Sequence, residues 1–350
     1  MIFYFSFFFG CLISFAIYYD KYLKIISNKI IFTGICFLFI FFVGFRYNSG
    51  TDYWSYYKIF NGTHEKKLAS EFGYQFLIKY FKKYSSSFNG FIFFIAFVSI
   101  FIKYLFFKKL ENPFLALFIY ITIFSINLEF NGMRQGLAAS FVFFAIYWAK
   151  KRNFIAFFIF IILASSIHIS SLVFFPLYFF ISRNITITTI SVLAIIIIAF
   201  IFRFYLMRII LTAMQPSMER ISGLEVIGRV VFYLKIKDIS LKNLGAIRRI
   251  AMCILFLFLN NHKKINNTYF NLYLISVIIY ILFMGYNIIA YRLSLVFDIF
   301  LIPLFANIKF TYNFKNISII TVLITISFVL FLITLQSESQ NLVPYQTYLF

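Results

Sequence analysis

The sequence predicts an all-α, polytopic integral membrane protein with about 11–12 transmembrane helices and two longer extracytoplasmic segments, at about 46–87 and 203–245. Three observations carry this. The 350 residues are 63% hydrophobic and only 12% charged, whereas soluble domains run at roughly half apolar and a quarter charged. Apolar stretches recur along the whole chain, separated by short polar breaks. Lysine and arginine fall in those breaks in an alternating way. A soluble globular enzyme is thereby excluded. Disorder and collagen are excluded as well, since the chain has 55 Phe against 13 Gly and 5 Pro.

In chain order the expected spans are Met1–Tyr19, Ile30–Phe45, Phe88–Phe107, Phe114–Leu128, Gly132–Ala149, Phe154–Ile167, Ile169–Ile181, Ile185–Phe202, Ala246–Leu259, Tyr269–Gly285, Leu293–Ala306 and Ile317–Leu335. Each is a mainly apolar run set off by short polar breaks, and a span needs about 20 mainly apolar residues. Phe154 to Ile181 is too long for one ordinary span and short for two, which predicts kinked or partial helices. The opening MIFYFSFFFGCLISF lacks a basic start and a small-residue cleavage site, so it reads as a retained helix. The chain reads as one multi-pass domain over 1–350.

Positive residues mark the cytoplasmic side of short loops. Lys21, Lys24 and Lys29, then Lys108 and Lys109, Lys150 to Arg152, Arg183, Lys263 and Lys264, and Lys309 and Lys315 all fall on one side if the spans alternate. Both termini are then extracytoplasmic. Arg248 and Arg249, at the outer start of a span, run against the rule. The net charge of +21 divides into these topology signals and a set of outer clusters, for which lipid and phosphate are the expected partners and nucleic acid is not.

Five outer features have the chemistry of a site. FRYNSGTDYWSYYKIF (45–60) holds Arg46, Gly50, Asp52 and Tyr53 directly after a span. An Arg fork suits phosphate oxygens, Gly50 permits a sharp turn or close approach, and Asp52 can orient an Arg or act as a base. The plain alternative is a solvated loop with an Arg–Asp pair in an aromatic belt. SEFGYQFLIKYFKK (70–83) has helical apolar spacing with interleaved lysines, which predicts an amphipathic interfacial helix with Glu71 at its start. Arg134 and Gln135 open the span from 132 against the helix dipole, which a bound anion explains and headgroup snorkelling also explains. His168 sits in the polar knot ASSIHISSL, as a proton-transfer group or a structural histidine. Arg292 lies at the start of a late span that contains Asp298; Asp298 is either a proton or ion site or the buried partner of another helix.

Cys11, Cys36 and Cys253 lie apart in apolar runs. No Cys pair, D-x-D or H-E-x-x-H occurs, so neither a metal nor a cofactor is expected.

Taken in order, these pieces resemble the EpsG family of polysaccharide-assembly proteins, close to the Wzy-type O-antigen and capsule polymerases. The residues are Arg46-x-x-x-Gly50-x-Asp52-Tyr53-x-x-Tyr56, then Glu71-x-Gly73-Tyr74, Arg134-Gln135-x-x-Ala138, His168-x-Ser170, Arg292, and Pro344-Tyr345 in the tail. The resemblance implies glycosyl transfer at the outer face of the membrane, joining oligosaccharide repeat units carried on undecaprenyl diphosphate. It implies diphosphate binding by Arg46, Arg134 and Arg292, a base among Asp52, His168 and Glu71, and substrate contacts from Tyr53, Gln135 and Tyr345. Implied partners are lipid-linked donor and acceptor oligosaccharides, membrane lipids and a chain-length regulator. A flippase or transporter of lipid-linked oligosaccharides and an O-antigen ligase-like transferase are the alternatives.

Overall fold

The computed structural model describes residues 28–63, 71–183, 187–214, 244–260, 266–284, 286–308, 325, 329, 331, 342 and 345–348. The expected first span, His64, residues 215–243 of the second long segment, His262 to Lys264, most of the last expected span and Pro344 lie outside them. The chain divides into two units, Met1–Ser182 with Phe305–Phe350, and Arg183–Leu304.

The first unit begins with α1 (Asn28–Gly44), followed by a two-residue strand, β1 (Arg46–Tyr47). Short α2 (Tyr53–Asn61) ends at Gly62 in the left-handed conformation, which returns the backbone N–H to the last helical carbonyls. The expected amphipathic helix is present as α3 (Phe72–Lys82). It buries Tyr74 and Ile78 and leaves Phe72, Phe76 and Tyr80 exposed. Next, α4 (Phe88–Phe107) is capped by Ser87, whose side chain accepts from the Gly90 N–H. The helix α5 (Pro113–Ile119) starts on Pro113, where a missing N–H costs nothing.

From Tyr120 the chain widens into π-helical turns, Tyr120–Phe124 and Ile126–Asn131. Thr122 and Ser125 hydroxyls bond back to the Phe118 and Ile121 carbonyls at 2.9 and 2.5 Å. Such back-bonding competes with the backbone ladder and loosens it. Then α6 (Met133–Lys150) and α7 (Phe154–Ile167) form a packed hairpin. The ambiguous stretch after Phe154 resolves into α7, a 3₁₀ segment Ile169–Phe174, and a short α8 (Tyr178–Arg183). The partial helices expected there are present, and His168 is the break between them. Near the chain end β2 (Gln346–Thr347) pairs antiparallel with β1, Arg46 opposite Thr347 and Tyr47 opposite Gln346.

The second unit holds α9 (Thr189–Met214), α10 (Leu244–Asn260), α11 (Asn267–Leu282), α12 (Asn287–Asp298) and most of α13 (Leu301–Ala306). The helix expected to stop at Phe202 runs on to Met214. Arg203 does not end it, because its guanidinium lies over the Phe200 and Phe204 rings of its own helix, 4.4 and 4.3 Å from their centroids. The segment expected from 203 therefore begins inside a helix.

Among the described residues, three stretches are long and apolar enough to cross a membrane: Phe88–Phe107, Thr189–Leu206 and Ile289–Ala306. Four shorter helices are also apolar. Their outward faces are hydrophobic: Leu38, Ile155, Ile159 and Ile162, and in the other unit Ile197, Ile198 and Ile201, are exposed. In water these would be association patches; against lipid they are ordinary. The fold is that of an all-α membrane protein.

Candidate functional site

The first unit collects most of the residues singled out above. At the end of α1, the last carbonyls need partners. Tyr345 supplies one: its hydroxyl donates to the Phe42 carbonyl at 2.6 Å while its ring stacks on Phe42 at 4.8 Å. Burial pushes this phenol up to about 12, so it remains a donor at neutral pH. Tyr345 thus acts here as a clamp between the tail and α1.

Arg46 follows. Only 1% of it is exposed, and its guanidinium is poorly satisfied. Nη1 lies 3.4 Å from the Val43 carbonyl, Nη2 lies 3.9 Å from the Met133 sulfur, and the fork sits 5.2 Å from the Phe130 ring centre. Nε is buried with no hydrogen-bond partner among the described residues. Burial pushes its pKa down from the ordinary Arg value. The Arg46–Asp52 pair considered from sequence is not formed among the described ion pairs. Asp52 instead occupies the position before α2, half-buried, and accepts the Thr51 hydroxyl at 3.3 Å.

The loop between them is held from across the fold. Gly50 has φ +99°, and an added Cβ there would lie 2.5 Å from the Phe130 carbonyl oxygen, so both the turn and the close approach require glycine. The Thr51 N–H donates to Asn131 Oδ1 at 3.0 Å. Tyr53 donates to Asn89 Oδ1 at 3.2 Å and Trp54 to Asn48 Oδ1 at 2.7 Å. Desolvation raises the Tyr53 phenol to about 12.

One turn further along the same segment, Arg134 pairs with Glu71 at 2.5 Å. Its guanidinium lies over Tyr56 and Tyr74, 5.8 and 5.7 Å from their centroids. Glu71 precedes α3 and also accepts the Ile169 N–H at 3.4 Å. It stands 3.5 Å from His168 Nδ1. That contact is an ion-pair distance without hydrogen-bond alignment, and Nδ1 has no hydrogen-bond partner among the described residues. The approach depends on Gly73, where a Cβ would lie 2.8 Å from the Ser166 carbonyl oxygen at the end of α7. Burial alone would raise the Glu71 carboxyl, but His168 and the Arg134 guanidinium outweigh it and hold it down to about 2. Gln135 is half-buried in the first turn of α6.

The segment 130–134 therefore ties the two arginines together. Phe130 and Met133 touch Arg46, Asn131 holds the Gly50 loop, and Arg134 reaches Glu71. Around this segment five buried polar atoms have no hydrogen-bond partner among the described residues: Arg46 Nε, Arg134 Nε, Tyr74 OH, His168 Nδ1 and Ser170 Oγ. Buried polar groups are nearly always paired, so a concentration of unpaired ones marks a place built to meet something polar.

Two further residues singled out from the sequence belong to the second unit. Arg292 is an exposed residue of α12 in the second unit. Asp298, of the same helix, is a buried ion-pair partner: it accepts from Ser276, from both Arg249 Nε and Nη2, and from Arg248 at 3.1 Å. Arg248 and Arg249 thus share one buried carboxylate as their partner.

Two charged residues escaped the sequence reading. Glu129, in the π-helical turn before α6, is buried. Lys103, inside α4, donates to it at 2.9 Å. A lysine and a glutamate inside apolar runs were the available signal, since charges within spans need partners. Tyr56 and Tyr74 stand in the ordered motifs, but nothing in their spacing reveals that both rings lie against Arg134.

A family model described as the EpsG family matches residues 29–347. No curated protein and no solved structure matches the chain significantly. The match covers every described residue of the cluster, from Arg46 through Glu71, Arg134 and His168 to Tyr345, and with the apolar helices it establishes that this chain belongs to the EpsG family of polysaccharide-polymerase-like membrane proteins.

Proposed function

We propose that the chain polymerises lipid-diphosphate-linked oligosaccharide repeat units by glycosyl transfer at the outer face of the cytoplasmic membrane. The observation that carries this reading is the set of buried, unpaired donors around residues 130–134, two of them on guanidinium groups. In glycosyl transfer from a lipid diphosphate, the bond between the anomeric carbon and the phosphate oxygen breaks and negative charge grows on the leaving diphosphate. Preorganised guanidinium groups in a water-poor site stabilise that charge without reorganising. Arg46 and Arg134 fill this role.

The acceptor hydroxyl loses its proton as it attacks. Glu71 is a poor base at about 2; its role is to hold His168 and Arg134. His168, whose Nδ1 stands 3.5 Å from Glu71, offers its other ring nitrogen to the acceptor proton, and the nearby carboxylate favours the positive ring that results. Asp52 is the second candidate base. Tyr53 and Gln135 are placed beside these groups as sugar contacts. Holding two lipid-anchored substrates in one membrane plane removes much of the entropy cost of their encounter.

The test is conversion of a purified lipid-linked repeat unit by the purified protein. Arg134→Ala and His168→Ala are expected to remain in the membrane and yield only single-repeat glycans. Normal long chains from both variants would overturn the assignment. A deletion strain separates the transporter alternative: single-repeat glycans persist on the surface if a polymerase is lost, and all surface glycan disappears if a flippase is lost. A ligase-like role predicts long lipid-linked chains that never reach their final acceptor.

A further inference from the structure

Beneath the candidate site lies a closed polar knot that the proposed chemistry does not use. The three protons of Lys103 Nζ are shared among four acceptors within hydrogen-bond distance: Glu129 Oε1 at 2.9 Å, Ser140 Oγ at 2.7 Å, the Gly136 carbonyl at 2.8 Å and Ser99 Oγ at 2.6 Å. Glu129 Oε1 also accepts from Ser99 at 3.0 Å and from the Tyr120 hydroxyl. All five side chains are buried. A lysine and a carboxylate inside a membrane protein are costly, and such groups are retained where they perform a task.

The position of Glu129 indicates the task. It lies in the π-helical turn Ile126–Asn131, and the residues next to it are Phe130, under Arg46, and Asn131, which receives the Thr51 N–H. A π-helical turn has a weaker register than an α-helix and recurs at functional sites. A salt bridge from α4 pins this one at a single residue. Glu129 is also the strongest favourable charge acting on the Arg46 guanidinium, which has no carboxylate bonded to it among the described residues. The pin and the counter-charge are thus the same side chain.

We infer that Lys103 and Glu129 are positioning residues: through the π-helical turn 126–131 they set the placement of Arg46 and of the Ser49–Asp52 loop. Neither touches substrate. The placement of the loop stands on geometry alone, and its bearing on catalysis rests on the polymerase reading above.

The experiment therefore has two readouts. Ser49 is fully buried within the loop, so Ser49→Cys, in a background without Cys11, Cys36 and Cys253, reports loop placement by maleimide labelling of the purified protein. The thiol is expected to be protected in the otherwise wild-type protein and to label at least about tenfold faster with Lys103→Met/Glu129→Gln. That double change removes both charges while nearly keeping side-chain volume, so membrane insertion is retained. Tyr120→Phe, which removes one bond to Glu129, is the milder variant and is expected to give a smaller increase if the double variant does not fold. In repeat-unit conversion the double variant is expected to lose kcat at least about tenfold with KM within about twofold, the pattern of a misplaced catalytic group. A folded double variant in which the Ser49→Cys thiol stays protected overturns the inference, as does Tyr120→Phe with unchanged labelling if only that variant folds. Because labelling needs no turnover, a chain that makes no polymer sinks the polymerase reading and leaves the loop-placement result standing.

Discussion

Two buried guanidinium groups in this protein invite comparison. Arg249, in the second unit, is saturated. Its Nε and Nη2 bond Asp298, Nη2 also reaches Ser294 at 2.9 Å, Nη1 reaches the Gly245 carbonyl at 3.2 Å, and the plane lies 4.0 Å from the Tyr280 ring centre. Arg46, in the first unit, is equally buried but has a long contact to one carbonyl, a thioether and an unpaired Nε. Both residues cost desolvation energy; only Arg249 recovers it within the protein. A charge whose bonds are complete holds helices together. A charge whose bonds are incomplete is free to strengthen when a ligand's negative charge arrives, which is the condition for differential stabilisation of a transition state.

The largest effects test this contrast directly. Asp298→Ala strips the carboxylate from two arginines and is expected to destabilise the second unit by about 3–5 kcal/mol, read as loss of protein from the membrane fraction and a lowered Tm in detergent. Arg46→Ala is expected to do the reverse, leaving Tm within a few degrees while repeat-unit conversion falls about 10²–10³-fold. If Arg46→Ala unfolds the protein and Asp298→Ala does not, the comparison is broken.

Glu71 sharpens it by pH. Its carboxyl sits at about 2 in the fold against an ordinary 4.5. A depressed carboxylate contributes stability that is complete above the unfolded value and fades as pH falls through the folded one. Thermal unfolding between pH 6 and pH 3 is therefore expected to lose part of its Tm in the wild type. Glu71→Gln is expected to flatten that dependence, and a slope unchanged by the substitution would remove Glu71 from the ion-pair cluster. The smallest effect is expected at Gly50. Its positive φ costs Gly50→Ala about 1–3 kcal/mol of strain, and the Phe130 carbonyl 2.5 Å from the added Cβ displaces the loop, visible as lower conversion and a Tm lowered by a few degrees.

Much of this protein was legible in one dimension. Composition and apolar periodicity mark the helices because lipid and protein interior make the same demand on every helix face. The interruption at His168 was visible as a run too long for one span and too short for two. Glu71, Arg134 and His168 stood out because polar residues beside apolar runs are few. The partners were not legible. Glu71 lies 63 residues from Arg134 and 98 from Ile169, and nothing in those spacings states that Gly73 lets α3 lie against the end of α7. Lys103 and Glu129 were passed over because each, taken singly, resembles a stray charge in an apolar run.

What the sequence by itself determined is therefore the kind of molecule and the short inventory of charges that need an explanation: an all-α membrane chain, with arginines at helix ends and few acids to answer them. Only the tertiary structure decided which charges answer one another. Hydrogen bonds act over about 3 Å and depend on which helices pack together, so the same residue type became a finished structural joint at Arg249 and an open donor at Arg46.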